Sequence, residues 1–340
     1  MGNKRVKKKV PFLRVFLGAA ILTSLASWAD VFPRALVENA YARRVFPTIS
    51  HVFALMAGVL PISWLDVWIV VSIAILIYAV SRKRWALLFG YIAIFYLWFF
   101  WGWGLNYHRL PLSKRMGIPT NSVSESAFEQ FVNTAVAEIN RLQPIASAMP
   151  PLDRDAASAI AVRRVDRVIK EIDGVVWETG TRVKRSALAQ FWYQSAGVDG
   201  MFNPFGHEPL VIAGPLPFEL PFLMSHEVAH VRGIANEGEA NLIALLATVN
   251  ADDPRFRYSG WLALWDYLQA PSSRLDPGPR ADLKAAHDRV LMHQIQFISR
   301  FQVSLLDAHL KANAVPGGIR SYSDFVSMAV ASQSRWKDFE

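Results

Sequence analysis

Long uncharged apolar runs fill the first hundred positions of the chain, whereas from Asn106 onward charges return at helical spacing. The pattern divides the chain near Gly104 into a membrane region, 1–104, and a globular domain, 105–340. Trp64 to Val80 and Trp85 to Trp103 each approach the roughly twenty residues needed to cross about 30 Å of hydrocarbon. With the apolar run ending at Ala29, they predict crossings at 10–29, 64–80 and 85–103. Pro47 to Trp64 is apolar but interrupted by His51, Gly58 and Pro61, which predicts a helix over 47–63 at the outer interface, with a fourth crossing as second reading.

The domain reads as mainly α. Ser126 followed by Glu129 predicts a capped start for one helix, and Arg154 to Ile172 carries apolar residues at three-and-four spacing for another. From Leu188 to Gly214, aromatic and β-branched residues broken by glycine and proline predict a short β-hairpin or edge strand, with "PLVIA" (Pro209 to Ala213) as second strand. Helical spacing resumes from Phe218, breaking near Gly233, Asp253 and the loop "APSSRLDPGPR". Leu283 to Leu310 then predicts one long helix and Ser321 to Ser332 a last one.

Composition supports the membrane portion: 52% of the 340 residues are hydrophobic. Lys4, Arg5, Lys7, Lys8 and Lys9 precede the first apolar run, the layout of a retained signal anchor, with cleavage after "SWA" at Ala29 as the alternative. Arg82, Lys83 and Arg84 form a second basic turn, and basic turns stay cytoplasmic. The expectation is a multi-pass protein of the cell (inner) membrane with a cytoplasmic N-terminus and an extracytoplasmic domain. These two clusters hold eight basic residues, as many as the formal charge of +8. The remaining basic stretches, Arg163 to Lys170 and Arg182 to Arg185, read as solvated faces or contacts with anionic lipid, and no nucleic-acid partner is expected. With no cysteine, any chemistry uses nitrogen and oxygen.

The candidate chemistry lies in "FLMSHEVAHVRGIANEGEANLIALLA". His226 and His230 stand one helical turn apart and can hold one ion, with Glu227 placed to take a proton from water beside it. Gly233 suits a left-handed turn, after which Asn236 can cap a new helix that swings Glu237 back as third ligand. Glu239, about 200° away from Glu237 in helical phase, is the alternative third ligand. Asn241 shares the face of Glu237 and is expected to hydrogen-bond the outer nitrogen of a ligand histidine.

The stretch "HEVAHVRGIANEGEAN" is similar to the "HExAHxxGxxxExEAN" signature of a bacterial membrane protein family of unknown function, domain of unknown function 3810, placed among zincin-like metallopeptidases. "WGWGLNYHRLPL", "GMFNPFGHEPLV" and "GGIRSYSDFV" extend the likeness over nearly the whole chain. The resemblance implies a zincin-like α-rich domain, bound zinc and a membrane anchor, but supplies no substrate. Its tail also resembles the ExxxD helix of glutamate-zincins, which again selects Glu237, with Asn241 where those enzymes have aspartate.

The expected function is a zinc metalloendopeptidase acting on peptide bonds of extracytoplasmic or envelope proteins. His226, His230 and Glu237 would hold the zinc and Glu227 would carry the proton. The strand "PLVIA" could offer its edge to an extended substrate, and Tyr193, His207, Tyr258, Tyr267 and Tyr322 are candidates for stabilising the oxyanion. A catalytically silent zinc scaffold, closed by a fourth ligand such as His207, is the alternative. A transporter ranks third, since the crossings contain only Asp66 as an acidic group.

Overall fold

The apolar runs do form helices. A computed structural model describes residues 10–118, 123–177, 180–313 and 324–339. The N-terminal part contains α1 (Val10–Trp28), α2 (Arg34–Leu36), a π-helical stretch Val37–Val45, α3 (Phe46–Val59), α4 (Trp64–Ser81) and α5 (Trp85–Gly102). Helices α4 and α5 are each 18 residues long and apolar enough to cross a membrane, whereas the apolar part of α1, Leu13–Trp28, is shorter. At 1.5 Å per residue each long helix spans about 27 Å, close to the hydrocarbon thickness. Both α1 and α4 pack on α5, and Leu13 approaches Gly90 closely enough that a side chain there would press on it.

The α1 C-terminus, the α4 N-terminus and the α5 C-terminus all meet the rest of the chain. Asp30, after α1, accepts from His108 Nδ1 at 2.9 Å. Glu208 accepts from Ser63 Oγ at 3.0 Å and from the Trp64 amide at 2.8 Å. Asp66, in the first turn of α4, accepts from the Ala187 and Leu188 amides at 2.9 and 3.1 Å. Helix α3 buries Phe46, Ser50, Ala54 and Ala57 and leaves Val52, Leu55, Met56 and Val59 exposed. One side therefore belongs to the core of the domain, a contact that the interfacial reading of 47–63 did not contain.

The remaining elements are α6 (Leu112–Met116), α7 (Glu125–Ala148), α8 (Arg154–Asp173), α9 (Gln190–Ala196), β1 (Gly200–Asn203), β2 (Glu208–Val211), α10 (Leu220–Val231), α11 (Glu237–Val249), α12 (Pro254–Leu268), α13 (Pro277–His293), α14 (Gln296–Ala312) and α15 (Asp324–Ser332). The chain is mainly helical, with a two-stranded antiparallel sheet in which Gly200 faces Val211 and Asn203 faces Glu208. Helices α10 and α11 form the centre, packed on each other and on α8 and α12, and α11 buries eleven of its 13 residues, from Gly238 and Ala240 to Val249.

Three expectations need correction. The α7 cap is Ser124, whose hydroxyl accepts from the Ala127 amide at 3.2 Å, and Ser126 lies inside the helix. The long helix expected over 283–310 is two helices, broken where the Ile295 amide leaves the helical ladder to donate to Ser195 O at 2.8 Å. Arg164, expected on a solvated face, is buried and donates to the carbonyls of Ala247 and Phe339. The start of the last helix at Ser321, most of "GGIRSYSDFV" and Tyr322 lie outside the described residues.

A buried ionic knot joins the two halves. Arg109 donates to both Glu38 oxygens at 2.9 and 2.8 Å, to Asp173 at 2.9 Å and to the Gly233 carbonyl at 3.2 Å. Arg115 adds two bonds to Asp173, and Arg43 one to Glu38. Burial alone would raise the Glu38 pKa, but the guanidinium of Arg109 outweighs it and holds the carboxyl down at about 2.

Candidate metal centre

Helix α10 ends in a left-handed turn, and that turn builds the site. Gly233 has φ +77°, and the Ile234 amide reaches back to Ala229 O at 3.2 Å, the six-to-one bond that closes a helix around such a glycine. A Cβ on Gly233 would lie 2.8 Å from Phe46 Cε1 and 2.9 Å from Asn106 Oδ1, so space as well as conformation demands glycine. Asn236 then caps α11, its side-chain oxygen accepting from the Glu239 amide at 3.1 Å. Glu237 enters in the first turn, facing the α10 histidines.

His226 Nε2 and His230 Nε2 lie 3.1 Å apart, and Glu237 Oε2 lies 3.2 and 3.3 Å from them. Among the described residues, these three form the group of His, Asp or Glu side chains able to share one metal ion. A tetrahedral ion with bonds of about 2.0–2.1 Å places its ligand atoms about 3.3–3.4 Å apart, so the donor set fits such an ion. His230 Nδ1 lies 2.7 Å from Ile234 O, a contact that puts a proton on Nδ1 and directs Nε2 toward the group. Burial works against a charged His230, but the Glu237 carboxylate outweighs it and pushes the pKa up to about 9. Burial likewise acts to raise Glu237, yet His230 and His226 hold it well below the usual carboxylate range.

Glu227 is 5% exposed and its Oε2 has no hydrogen-bond partner. Burial raises its pKa to about 7, with the two histidines opposing and Glu237 adding to the rise. Gly200 lies against the carboxyl: a Cβ there would stand 2.9 Å from Glu227 Cδ.

The other sequence candidates separate clearly. Glu239 points away from the group, accepting from the Leu112 amide at 2.7 Å with Arg115 3.7 Å away. Asn241 does not hold a ligand histidine; its amide donates to Tyr267 Oη at 3.2 Å, and the carbonyl of Ile234 occupies the place expected for it. His207 stands outside the group, stacked on Phe53 at 4.6 Å, its pKa depressed to about 3 by burial. Tyr258 is committed to Asp282 at 2.6 Å. Tyr193, beside Met201, is held protonated by burial and by Glu227, and Tyr267 is held protonated chiefly by burial, with Glu237 adding to it.

Two neighbours escaped the sequence reading. Tyr107 Oη lies 3.3 Å from His309 Nε2. Burial raises Tyr107 and lowers His309, and both feel the Glu237 charge. No local motif marks either residue, since 202 positions separate them. The end of α5 also reaches the site: Trp103 Nε1 donates to His230 O at 2.9 Å, and its ring lies 4.9 Å from Phe202.

The strand expectation changes as well. Lys184 pairs with the outer edge of β2, donating its amide to Pro209 O and accepting from the Val211 amide. The edge strand is therefore β1 and not "PLVIA". The Ile212 amide donates to Asp199 O, so by antiparallel alternation Met201 and Asn203 bond β2, while the backbone groups of Gly200 and Phe202 face the other way.

Fold and site together define a helical protein with two long apolar helices and a compact His–His–Glu group, beside which the buried Glu227 has one oxygen without a hydrogen-bond partner. The chain belongs to the family described as Protein of unknown function (DUF3810), whose model matches residues 41–330. No curated protein and no solved structure matches it.

Proposed function

We propose that this protein is a zincin-like, membrane-anchored zinc metallopeptidase of the cell membrane that hydrolyses peptide bonds of extracytoplasmic or envelope proteins. The observation that carries the reading is the pairing of three ligand atoms 3.1–3.3 Å apart with the buried Glu227 carboxyl on the same helix. His226, His230 and Glu237 hold the ion. Bound zinc supplies the positive charge that polarises a peptide carbonyl and acidifies water. Glu227 accepts the proton of the attacking water on its free oxygen and passes it to the leaving amine. Gly200 and Phe202 align an extended substrate through their outward backbone groups, next to Glu227. The basic turn Arg82 to Arg84, at the far ends of α4 and α5, favours a domain outside the cytoplasm.

The test uses the full chain in detergent. Bound zinc is measured beside cleavage of an unbiased peptide library, for the unsubstituted protein and for Glu227→Gln. Zinc in both with cleavage by the first alone supports the peptidase. Zinc in both without any cleavage would replace it with a zinc-stabilised scaffold, and absence of zinc overturns both readings.

A further inference from the structure

Along α14, Phe297, Phe301 and Leu305 recur every four residues and so share one face, exposed to 78%, 51% and 53%. Met292 and Ile295, around the break between α13 and α14, are exposed too, as is Phe191 on α9. Trp192 ties α9 to α14 by donating to Gln302 at 3.0 Å and standing edge-on to Phe301. A contiguous apolar surface of this kind is seldom left to water.

Two contacts indicate what covers it. At the C-terminal end of α14, the His309 ring packs 5.5 Å from Phe99, one turn inside the end of α5. On the other side, Leu188, just before α9, donates its amide to Asp66 in the first turn of α4. The surface is thus pinned at two separate points to those ends of α4 and α5 that meet the domain, where their own apolar flanks stop. By helical phase Arg300, Asp307 and Lys311 lie along one border of the stripe, Lys311 donating to Asp307 at 2.6 Å, so the apolar face has a polar edge with Arg300 toward the phosphates, the layout of a helix resting at a lipid surface.

We infer that α14, with α9 beside it, rests in the outer leaflet of the membrane next to α4 and α5, giving the protein a non-crossing contact with lipid in addition to its spans. The inference rests on the reading that α4 and α5 cross the bilayer. The apolar stripe sits about 5–10 Å into the boundary between headgroups and acyl chains. A second copy of the chain is the competing occupant, but it would not require the alignment with both span ends.

The absence of cysteine makes the experiment direct. Single nitroxide labels are placed by Phe297→Cys and Leu305→Cys in the full chain, in nanodiscs of phosphatidylethanolamine and phosphatidylglycerol. Collisions with oxygen, which concentrates in lipid, are compared with collisions with a water-soluble nickel chelate. Lys284→Cys on α13 supplies the water reference and Leu76→Cys on α4 the acyl-chain reference. Phe297 and Leu305 are expected to lose nickel accessibility relative to Lys284 and to gain oxygen accessibility toward that of Leu76. Nickel accessibility equal to that of Lys284 overturns the inference, and so does protection from both reagents, which means a protein contact. A water-like Leu76 would overturn the spanning reading itself, a result distinct from either.

Discussion

Glu237 and Glu239 leave the same turn of α11 and enter two different kinds of buried charge. Glu239 joins the margin of the knot of Glu38, Arg43, Arg109, Arg115 and Asp173, where the acids are met by guanidinium groups or backbone amides. Glu237 joins His226 and His230, beside which Glu227 Oε2 and His226 Nδ1 are buried without partners. Unpartnered buried polar atoms cost about 1–3 kcal/mol each. A protein can remove that cost by pairing, as the knot does; beside the three convergent ligand atoms these two groups are left open.

The contrast predicts effects of different kinds. The largest is expected from Glu227→Gln, which preserves shape and removes the proton acceptor: kcat/KM falls by about 10²–10⁴, with zinc content unchanged. Equal loss of zinc would mean that Glu227 supports the ligands rather than the reaction. Arg109→Met should act on the other region, leaving Glu38 and Asp173 without their shared partner and lowering stability by about 3–5 kcal/mol in thermal unfolding, while the folded fraction still binds zinc. The two glutamates give the sharpest comparison. Glu237→Gln should weaken zinc by more than about 100-fold in chelator competition, beyond what loss of an outer partner costs, whereas Glu239→Gln should leave zinc affinity unchanged. The reverse order would exchange their roles.

Gly200→Ala is a smaller test. The added methyl must displace the Glu227 carboxyl, at a cost of about 1–3 kcal/mol read as lower kcat/KM with normal zinc. The knot is also tested by its pH dependence. Glu38 has a folded pKa of about 2 against an ordinary 4.5, so its stabilisation is complete above pH 4.5 and is lost as pH falls toward 2. Thermal unfolding followed over that range should show a shallower slope for Glu38→Gln.

What the sequence reveals here is what is local. His226, Glu227, His230, Gly233, Asn236 and Glu237 lie within twelve positions, so helical period, one left-handed turn and one cap suffice to bring them together. Phase also separates Glu237 from Glu239 correctly as to the direction each faces. The helices α4 and α5 are legible because their apolar runs continue over 18 residues. Tertiary partners are hidden. Asn241 turns to Tyr267 on another helix, Lys184 takes the edge of β2 from outside the hairpin, and Ser195 receives the amide that breaks the helix expected over 283–310. Neither Gly nor Pro marks that break, because its cause lies a hundred residues earlier in the chain.

The roof over Gly233 bears on the order of assembly. Phe46 and Asn106 press on that glycine, and Arg109 holds its carbonyl, so the turn that delivers Glu237 is moulded by side chains made more than a hundred positions before it. Phe46, Asn106 and Arg109 leave the ribosome before α10 and α11, so the turn at Gly233 closes against side chains already made. On the proposed reading, ion capture would report on the packing of the early helices, because a chain in which they are misplaced would lack the surface that sets Glu237.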